Sequence, residues 1–476
     1  MVQKRKVTGF VYGYGLILGL AIVTAGLILV HGGSVLNFAF PVLAALVASV
    51  LISYRPTAYV AFVWYIWLFS PEVRRFVDYQ THYHSVSPVM ITPVLVTGFG
   101  LLAVLRRPQF LLRRSMVPFT LLGLVFVYAF LVGSFGGGFL PAGFDFANSI
   151  LPLGFGLFLM MQPENFAEKR ASLVFAMILG LFLAGAYGLY QFFHFPPWDA
   201  YWLTNSNLSS QGQGVAEQVR LFGPLNSSAP YAVVLMSGLV FILVAKGPLR
   251  IAAGAAGFPA FGLASVREAW GGWVLAALFV IWRVGGKTRL WILSAAAVLV
   301  LIIAPLLTVG PVADIISKRF SSITNIQQDS SFQARRALFA NTVDAAITQP
   351  IGIGFGQLGT ASKLTTGQNT DFDSGLLIVP YEFGWFGTVL FVWAVGVISL
   401  RVFKISTSSK DKISIAAAGL FFGVIAQNIF ASTFSGVSGL SLWIGVALAL
   451  GPVAARRRVA AVRPITLLNQ PAGSLR

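Results

Sequence analysis

The chain contains no cysteine, which excludes a disulfide framework, a thiolate metal site and a cysteine nucleophile. Charge is scarce too: 10% of the 476 residues, where a soluble domain carries about a quarter. Only 15 acidic residues and four histidines (His31, His82, His84, His194) are present for acid–base work. No glycine-rich phosphate loop follows a strand in the short basic loops, which argues against cytoplasmic nucleotide chemistry. Tandem repeats and low-complexity tracts are absent as well.

Apolar residues make up 57% of the chain, and the mean hydropathy is +0.80. They run continuously rather than at helical spacing, so most helices are apolar all round. The expectation is an all-α polytopic transmembrane helical bundle of about 12–14 spans. Runs of adequate length fall near 10–30, 35–53, 57–70, 88–105, 116–133, 147–161, 171–192, 226–245, 250–265, 269–282, 288–309, 374–399, 412–430 and 436–454. The opening MVQKRK imitates a signal peptide. The run behind it is too long and lacks a small-residue cleavage site, so it reads as an uncleaved first span.

The net charge of +18 and pI near 10.4 look at first like a nucleic-acid footprint. Their distribution says otherwise. With the N-terminus inside, the cytoplasmic segments hold 24 of the 33 basic residues and three acids, Glu164, Glu168 and Asp411. The other side holds nine basic residues, 12 acids and all four histidines. This is the positive-inside asymmetry of a multispanning protein, and nucleic acid is not an expected partner. Both termini are expected in the cytoplasm and the chemistry on the opposite face.

Four parts follow. Residues 1–309 form transmembrane helices with a first external loop near 194–225; 310–373 form a large external loop. Residues 374–454 return to membrane helices, and 455–476 are a basic cytoplasmic tail anchored at the inner leaflet. Loops as long as these two are functional or disordered. In the second, Ser330-x-x-Gln333 forms a capping box that opens a helix over 332–348, and GIGFGQLG at 352–359 makes a glycine-rich turn.

Arg267 and Glu268 lie between two short apolar segments, which reach only ~24 Å and ~21 Å at helical rise. Against a ~30 Å hydrocarbon core, the turn between them sits at lipid-phosphate depth. An arginine there is either paired locally with Glu268 or snorkelling, or it holds an anion, for which a guanidinium is suited by its bidentate fork. Arg220, in RLFGPLNSS, has the same boundary position, with interfacial anchoring as the plainer reading. Arg335 and Arg336 lie on the loop helix, as a solvated face or as inward contributors to the same anion site. Asp373 precedes the following span as a helix N-cap, a general base, or both. Glu382, nine residues on, points about 180° away unless Pro380 kinks the helix. His82 and His84 lack the further ligands zinc needs, and no metal or other cofactor is expected. His194 sits among aromatics of an interfacial belt or a carbohydrate platform.

RLFGPLNSS running into a span, SVREAWGG at a span junction, QPIGIGFGQLG in a long external loop and DFDSGLLIVPYEFGWFG after it together resemble the O-antigen ligase and O-antigen polymerase superfamily, over residues 215–400. The resemblance implies a metal-independent bacterial glycosyltransferase of the inner membrane with a periplasmic site. Such enzymes take a glycan from undecaprenyl pyrophosphate and pass it to an acceptor sugar hydroxyl. The pyrophosphate-holding arginines would be Arg220 and Arg267, and the large loop would close over the sugars. The characterised ligases have a histidine base where this chain has Asp373. That departure favours a polymerase of O-antigen or exopolysaccharide repeat units over a ligase acting on lipid A–core. Expected partners are the lipid-linked donor, the glycan acceptor, the bilayer, and a flippase and chain-length regulator. The competing classes are a lipid-linked oligosaccharide flippase or transporter and a membrane scaffold. Transporters gather ionisable groups near the midplane at broken helices, whereas here they collect at the outer boundary.

Overall fold

A computed structural model describes residues 2–161, 163–206, 208, 211–306, 348–366 and 374–467. Each of the fourteen segments expected to span the membrane contains a helix among its described residues. The first half comprises α1 (Val2–Leu29), α2 (Gly33–Tyr54), α3 (Pro56–Gln80), α4 (Thr92–Leu105), α5 (Pro108–Leu111), α6 (Val117–Gly136), α7 (Phe139–Met161) and α8 (Phe166–His194). A short helix, α9 (Pro197–Ser206), follows and lies within the stretch expected to be the first external loop. Next come α10 (Ser228–Ile242), α11 (Leu249–Leu263), α12 (Arg267–Arg283) and α13 (Gly286–Leu306). The last four are α14 (Gly359–Thr366), α15 (Gly375–Ser408), α16 (Lys412–Ala426) and α17 (Gly436–Leu467). Among the described residues the only β pairing is an isolated bridge between Gly212 and Val219.

Among the described residues seven helices are long and apolar enough to cross a membrane: α2, α4 with the turn before it, α6, α7, α8, α15, and α16 with the turn after it. Shorter apolar helices fall at Gly13–Leu29, Ser228–Ile242, Leu249–Leu263 and Gly436–Pro452. The chain is an integral membrane protein. Its lipid-facing side chains, such as Leu18, Phe38, Leu124 and Val389, are exposed, because hydrocarbon rather than water solvates them.

Loop contacts sort the bundle into two ends. Arg170 pairs with Asp411, Arg283 donates to the Thr407 carbonyl, and Lys412 Nζ donates to Thr288 Oγ1 at 2.7 Å. All of these lie in or beside loops that charge counting puts on one side. At the other end Gln80 donates to the Ile28 carbonyl at 2.7 Å, and Tyr83 N to Tyr201 Oη at 3.0 Å.

Two features of the packing place the candidate site. The helices α11 and α12 have 15 and 17 residues. At helical rise they are about 23 and 26 Å long, too short to carry their shared turn clear of a ~30 Å core. Small residues then bring α12 and α16 together backbone to backbone. A Cβ at Gly272 would overlap the Gly423 carbonyl, and one at Gly419 would lie 2.9 Å from the Ala276 oxygen.

Candidate functional site

The segment 211–225 doubles back on itself at one end of the bundle. Arg220 N donates to the Gln211 carbonyl at 2.8 Å, beside the Gly212–Val219 bridge, and Leu221 N to the Leu263 carbonyl at 3.4 Å. Leu221 and Phe222 are fully buried, so the segment is anchored by apolar side chains while Arg220 stays half-buried. Gly223 turns the chain at φ +50°, and any Cβ there would overlap the Tyr231 ring.

Arg220 Nη2 donates to the Ser265 carbonyl at 3.1 Å. Ser265 sits in the turn joining α11 to α12, at φ +55°, and Arg267 is the first residue of α12. The structure thus brings Arg220 against the turn that carries Arg267, although 45 residues separate Arg220 from Ser265. The amino end of a helix favours negative charge, because its first N–H groups lack intrahelical acceptors. The Arg220 guanidinium therefore lies against the turn that leads into this helix end.

The start of α15 reaches the same neighbourhood. A Cβ at Gly375 would overlap Asn428 Oδ1, and Gly272 of α12 packs on Gln427, one residue before Asn428. The amino ends of α12 and α15 therefore both converge on the end of α16. Asp371 and Asp373 lie outside the described residues, as do Arg335 and Arg336. Of the helix expected over 332–348, only Thr348 is described, and it is helical.

A buried polar cluster supports the segment from behind. Arg75, near the outer end of α3, has no exposed surface. Its Nη1 lies 3.1 Å from Asp199 Oδ1, it pairs with Glu72, and its Nη2 donates to the Gly223 carbonyl at 2.6 Å. Gln191 Nε2 donates to Asp199 Oδ2 at 2.6 Å, and its Oε1 accepts from Phe222 N at 3.2 Å and Gly223 N at 3.0 Å. Tyr187 Oη lies 2.7 Å from Glu72 Oε1 and 2.9 Å from Asp199 Oδ2. Burial pushes the Asp199 carboxyl above the usual range, with the Arg75 charge and the Gln191 and Tyr187 hydrogen bonds opposing.

The histidines do not assemble a metal centre. His84 Nδ1 lies 2.9 Å from Asp78 Oδ1, and the His82 and His84 rings pack with centroids 4.1 Å apart. Among the described residues no group of three or more His, Asp or Glu is placed to hold a metal ion. His194 stacks on Tyr190 at 5.1 Å.

The glycine-rich stretch at 352–359 does more than turn. Inside α15, Gly384 leaves helical geometry (φ 62°, ψ −172°), which frees backbone groups four residues after Pro380. The segment beginning at Pro350 fills that break. Ile353 N donates to the Tyr381 carbonyl at 2.9 Å, Gly354 N to Glu382 at 3.0 Å, and Trp385 N to Pro350 at 2.9 Å. On its other side Phe355 N donates to the Ala129 carbonyl at 2.9 Å, and Gly356 N to Asp145 Oδ2 at 2.9 Å. Irregular backbone within a membrane protein survives where protein satisfies its polar groups, and here it does. A kink near Pro380 was the condition for Glu382 to leave its expected direction. The break falls at Gly384, and Glu382 is buried beside the inserted segment.

Sequence reasoning missed Arg75, Glu72, Asp199 and Gln191, and Asp145 as the partner of Gly356. The available signal for the first group was four charges within seven residues, Glu72, Arg74, Arg75 and Asp78, at the end of an otherwise apolar helix. Residues 231–392, from α10 into α15, match the family model described as O-Antigen ligase (Wzy_C), which supports the O-antigen ligase/polymerase superfamily. No curated protein gives a significant match to the chain.

Proposed function

We propose that this membrane protein polymerises undecaprenyl-pyrophosphate-linked repeat units of O-antigen or exopolysaccharide at the periplasmic face of the bacterial inner membrane. The family match supports a glycosyltransferase-type enzyme of the O-antigen ligase/polymerase kind acting on lipid-linked glycans. The observation that carries the reading is the hydrogen bond from Arg220 to Ser265, which sets one boundary arginine beside the turn bearing the other.

The reaction is a direct displacement. The acceptor hydroxyl attacks the anomeric carbon of the donor as the bond from that carbon to the pyrophosphate oxygen breaks. Arg220 and Arg267 neutralise the charge that develops on the departing pyrophosphate. Asp373 takes the hydroxyl proton. The lipid pyrophosphate is already a good leaving group, so no nucleotide is consumed. Arg335 and Arg336 remain candidates for the same phosphates.

The test is reconstitution of the purified protein with a defined lipid-linked repeat unit. Arg220→Ala and Arg267→Ala should each slow chain growth by about 100- to 1,000-fold, and Asp373→Asn should leave donor binding intact while stopping transfer. Wild-type rates in both arginine variants would overturn the assignment. Asp373, standing where the ligases carry histidine, favours polymerisation over transfer to lipid A–core. A deletion strain separates the two. Loss of a polymerase leaves a single repeat unit on the acceptor, whereas loss of a ligase strands long polymer on the carrier lipid.

A further inference from the structure

We propose that Arg75 is a positioning residue for this reaction: it fixes the backbone at Phe222–Gly223 and through it aims Arg220 at the donor's phosphates. This rests on the reading above, in which Arg220 grips the lipid-linked pyrophosphate.

An arginine with no exposed surface cannot touch the substrate, and burying it is costly unless its donors are used. Nη2 of Arg75 donates to Glu72 and to one backbone carbonyl, while its contact with Asp199 is an ion pair without hydrogen-bond geometry. Nη2 reaches the Gly223 oxygen at 2.6 Å, Nη1 lies 3.1 Å from Asp199, and Glu72 completes the set. The Phe222 ring lies 5.0 Å from the guanidinium carbon, so the same side chain also packs against the segment it holds.

Gln191 takes the two neighbouring N–H groups, those of Phe222 and Gly223. Three of the four backbone polar groups of Phe222 and Gly223 are therefore gripped by side chains from α3 and α8. Asp199 of α9 locks those side chains to each other through Arg75 and Gln191. On the opposite edge Leu221 is bonded to Leu263, and the Arg220 side chain to Ser265. The segment is thus clamped between the buried cluster and the α11–α12 turn. Arg220 lies two residues from the clamp, too few for a displacement to be absorbed.

Lysine at position 75 keeps the charge but offers one nitrogen, which cannot span Asp199, Glu72 and the Gly223 carbonyl together. The experiment compares wild type, Arg75→Lys, Arg220→Ala and the double variant, each in lipid nanodiscs and each checked for a cooperative thermal transition. Equilibrium binding of undecaprenyl pyrophosphate without glycan is measured first, then kcat and KM with the lipid-linked repeat. A misplacement on the order of 1 Å costs about 100-fold in rate. Arg75→Lys should therefore bind the pyrophosphate at least 10-fold more weakly and lose transfer to a similar or greater extent. Combined with Arg220→Ala it should add nothing further, because its effect runs through Arg220. Where Arg75→Lys does not fold, Gln191→Leu removes the other half of the clamp and should behave likewise.

The outcomes separate the two readings. If Arg220→Ala binds pyrophosphate as wild type does, the functional assignment fails. If Arg220→Ala loses binding while folded Arg75→Lys keeps it, the positioning role fails and the assignment stands. If the double variant loses the sum of both effects, Arg75 does not act through Arg220, and the inference is overturned.

Discussion

Arg220 is hydrogen-bonded to the carbonyl of Ser265, and Arg267 begins a helix two residues later. A residue of the 211–225 segment and the first residue of a short helix are thereby held on one turn. The bond uses Nη2 of the guanidinium.

Lysine is therefore not equivalent to arginine at either position. It restores a point charge but not the planar fork that takes two phosphate oxygens. Losing one of two charged hydrogen bonds, worth about 1.5–3 kcal/mol, slows transfer by about 10- to 100-fold. Removing the charge with alanine should cost about 100- to 1,000-fold. Steady-state kinetics on Arg220→Lys, Arg220→Ala, Arg267→Lys and Arg267→Ala should give that order at both positions, and equal rates for Lys and Arg would exclude bidentate recognition.

The junction between Pro350 and Gly356 makes a prediction about stability. Gly354 stands at φ +73°, and a Cβ there would overlap Gly133 N of α6. Positive φ alone costs alanine about 1 kcal/mol or more, and overpacking adds about 1–3 kcal/mol. Gly354→Ala should lower the thermal midpoint by several degrees and reduce transfer. Gly396, further along α15 with nothing within 4 Å of a Cβ, is the control. Gly396→Ala should leave the midpoint unchanged or raise it.

The helices themselves were legible because hydrocarbon imposes long apolar runs, and each of the fourteen runs contains a helix among its described residues. Arg220 and Arg267 were legible for the same reason, as charges stranded at the ends of such runs. Two things had no comparable signature. Arg75 and Gly223 are 148 residues apart, and a side chain bonding to a distant backbone carbonyl leaves no mark on either stretch. The insertion at 350–356 pairs backbone with backbone, so only its hardware showed. Its glycines at 352, 354 and 356 suggested a turn. The 34 residues of α15 add up to about 51 Å at helical rise, well beyond one crossing and compatible with a break.

Chelation tests the chemistry from another side. Phosphoryl and pyrophosphate leaving groups are commonly stabilised by Mg²⁺, and here two guanidinium groups are proposed to supply that charge. Transfer should proceed at its full rate in excess EDTA and gain nothing from added Mg²⁺. A loss in EDTA that Mg²⁺ restores would overturn the arginine-only account.

The orientation can be checked with unusual economy because the chain has no cysteine of its own. Val215 lies in the segment before Arg220 and is 52% exposed; Leu112 lies in the basic loop after α4 and is 79% exposed. If the arginine site faces away from the cytoplasm, a membrane-impermeant maleimide added to intact spheroplasts labels Val215→Cys and spares Leu112→Cys. Permeabilisation should then expose Leu112→Cys to the same reagent. Both positions are exposed loop sites, so neither substitution should disturb folding, and the unsubstituted chain supplies a background free of thiols. The reverse pattern would put the basic loops outside, against the positive-inside rule, and would place Arg220 and Arg267 in a compartment where the proposed lipid-linked donor is not used.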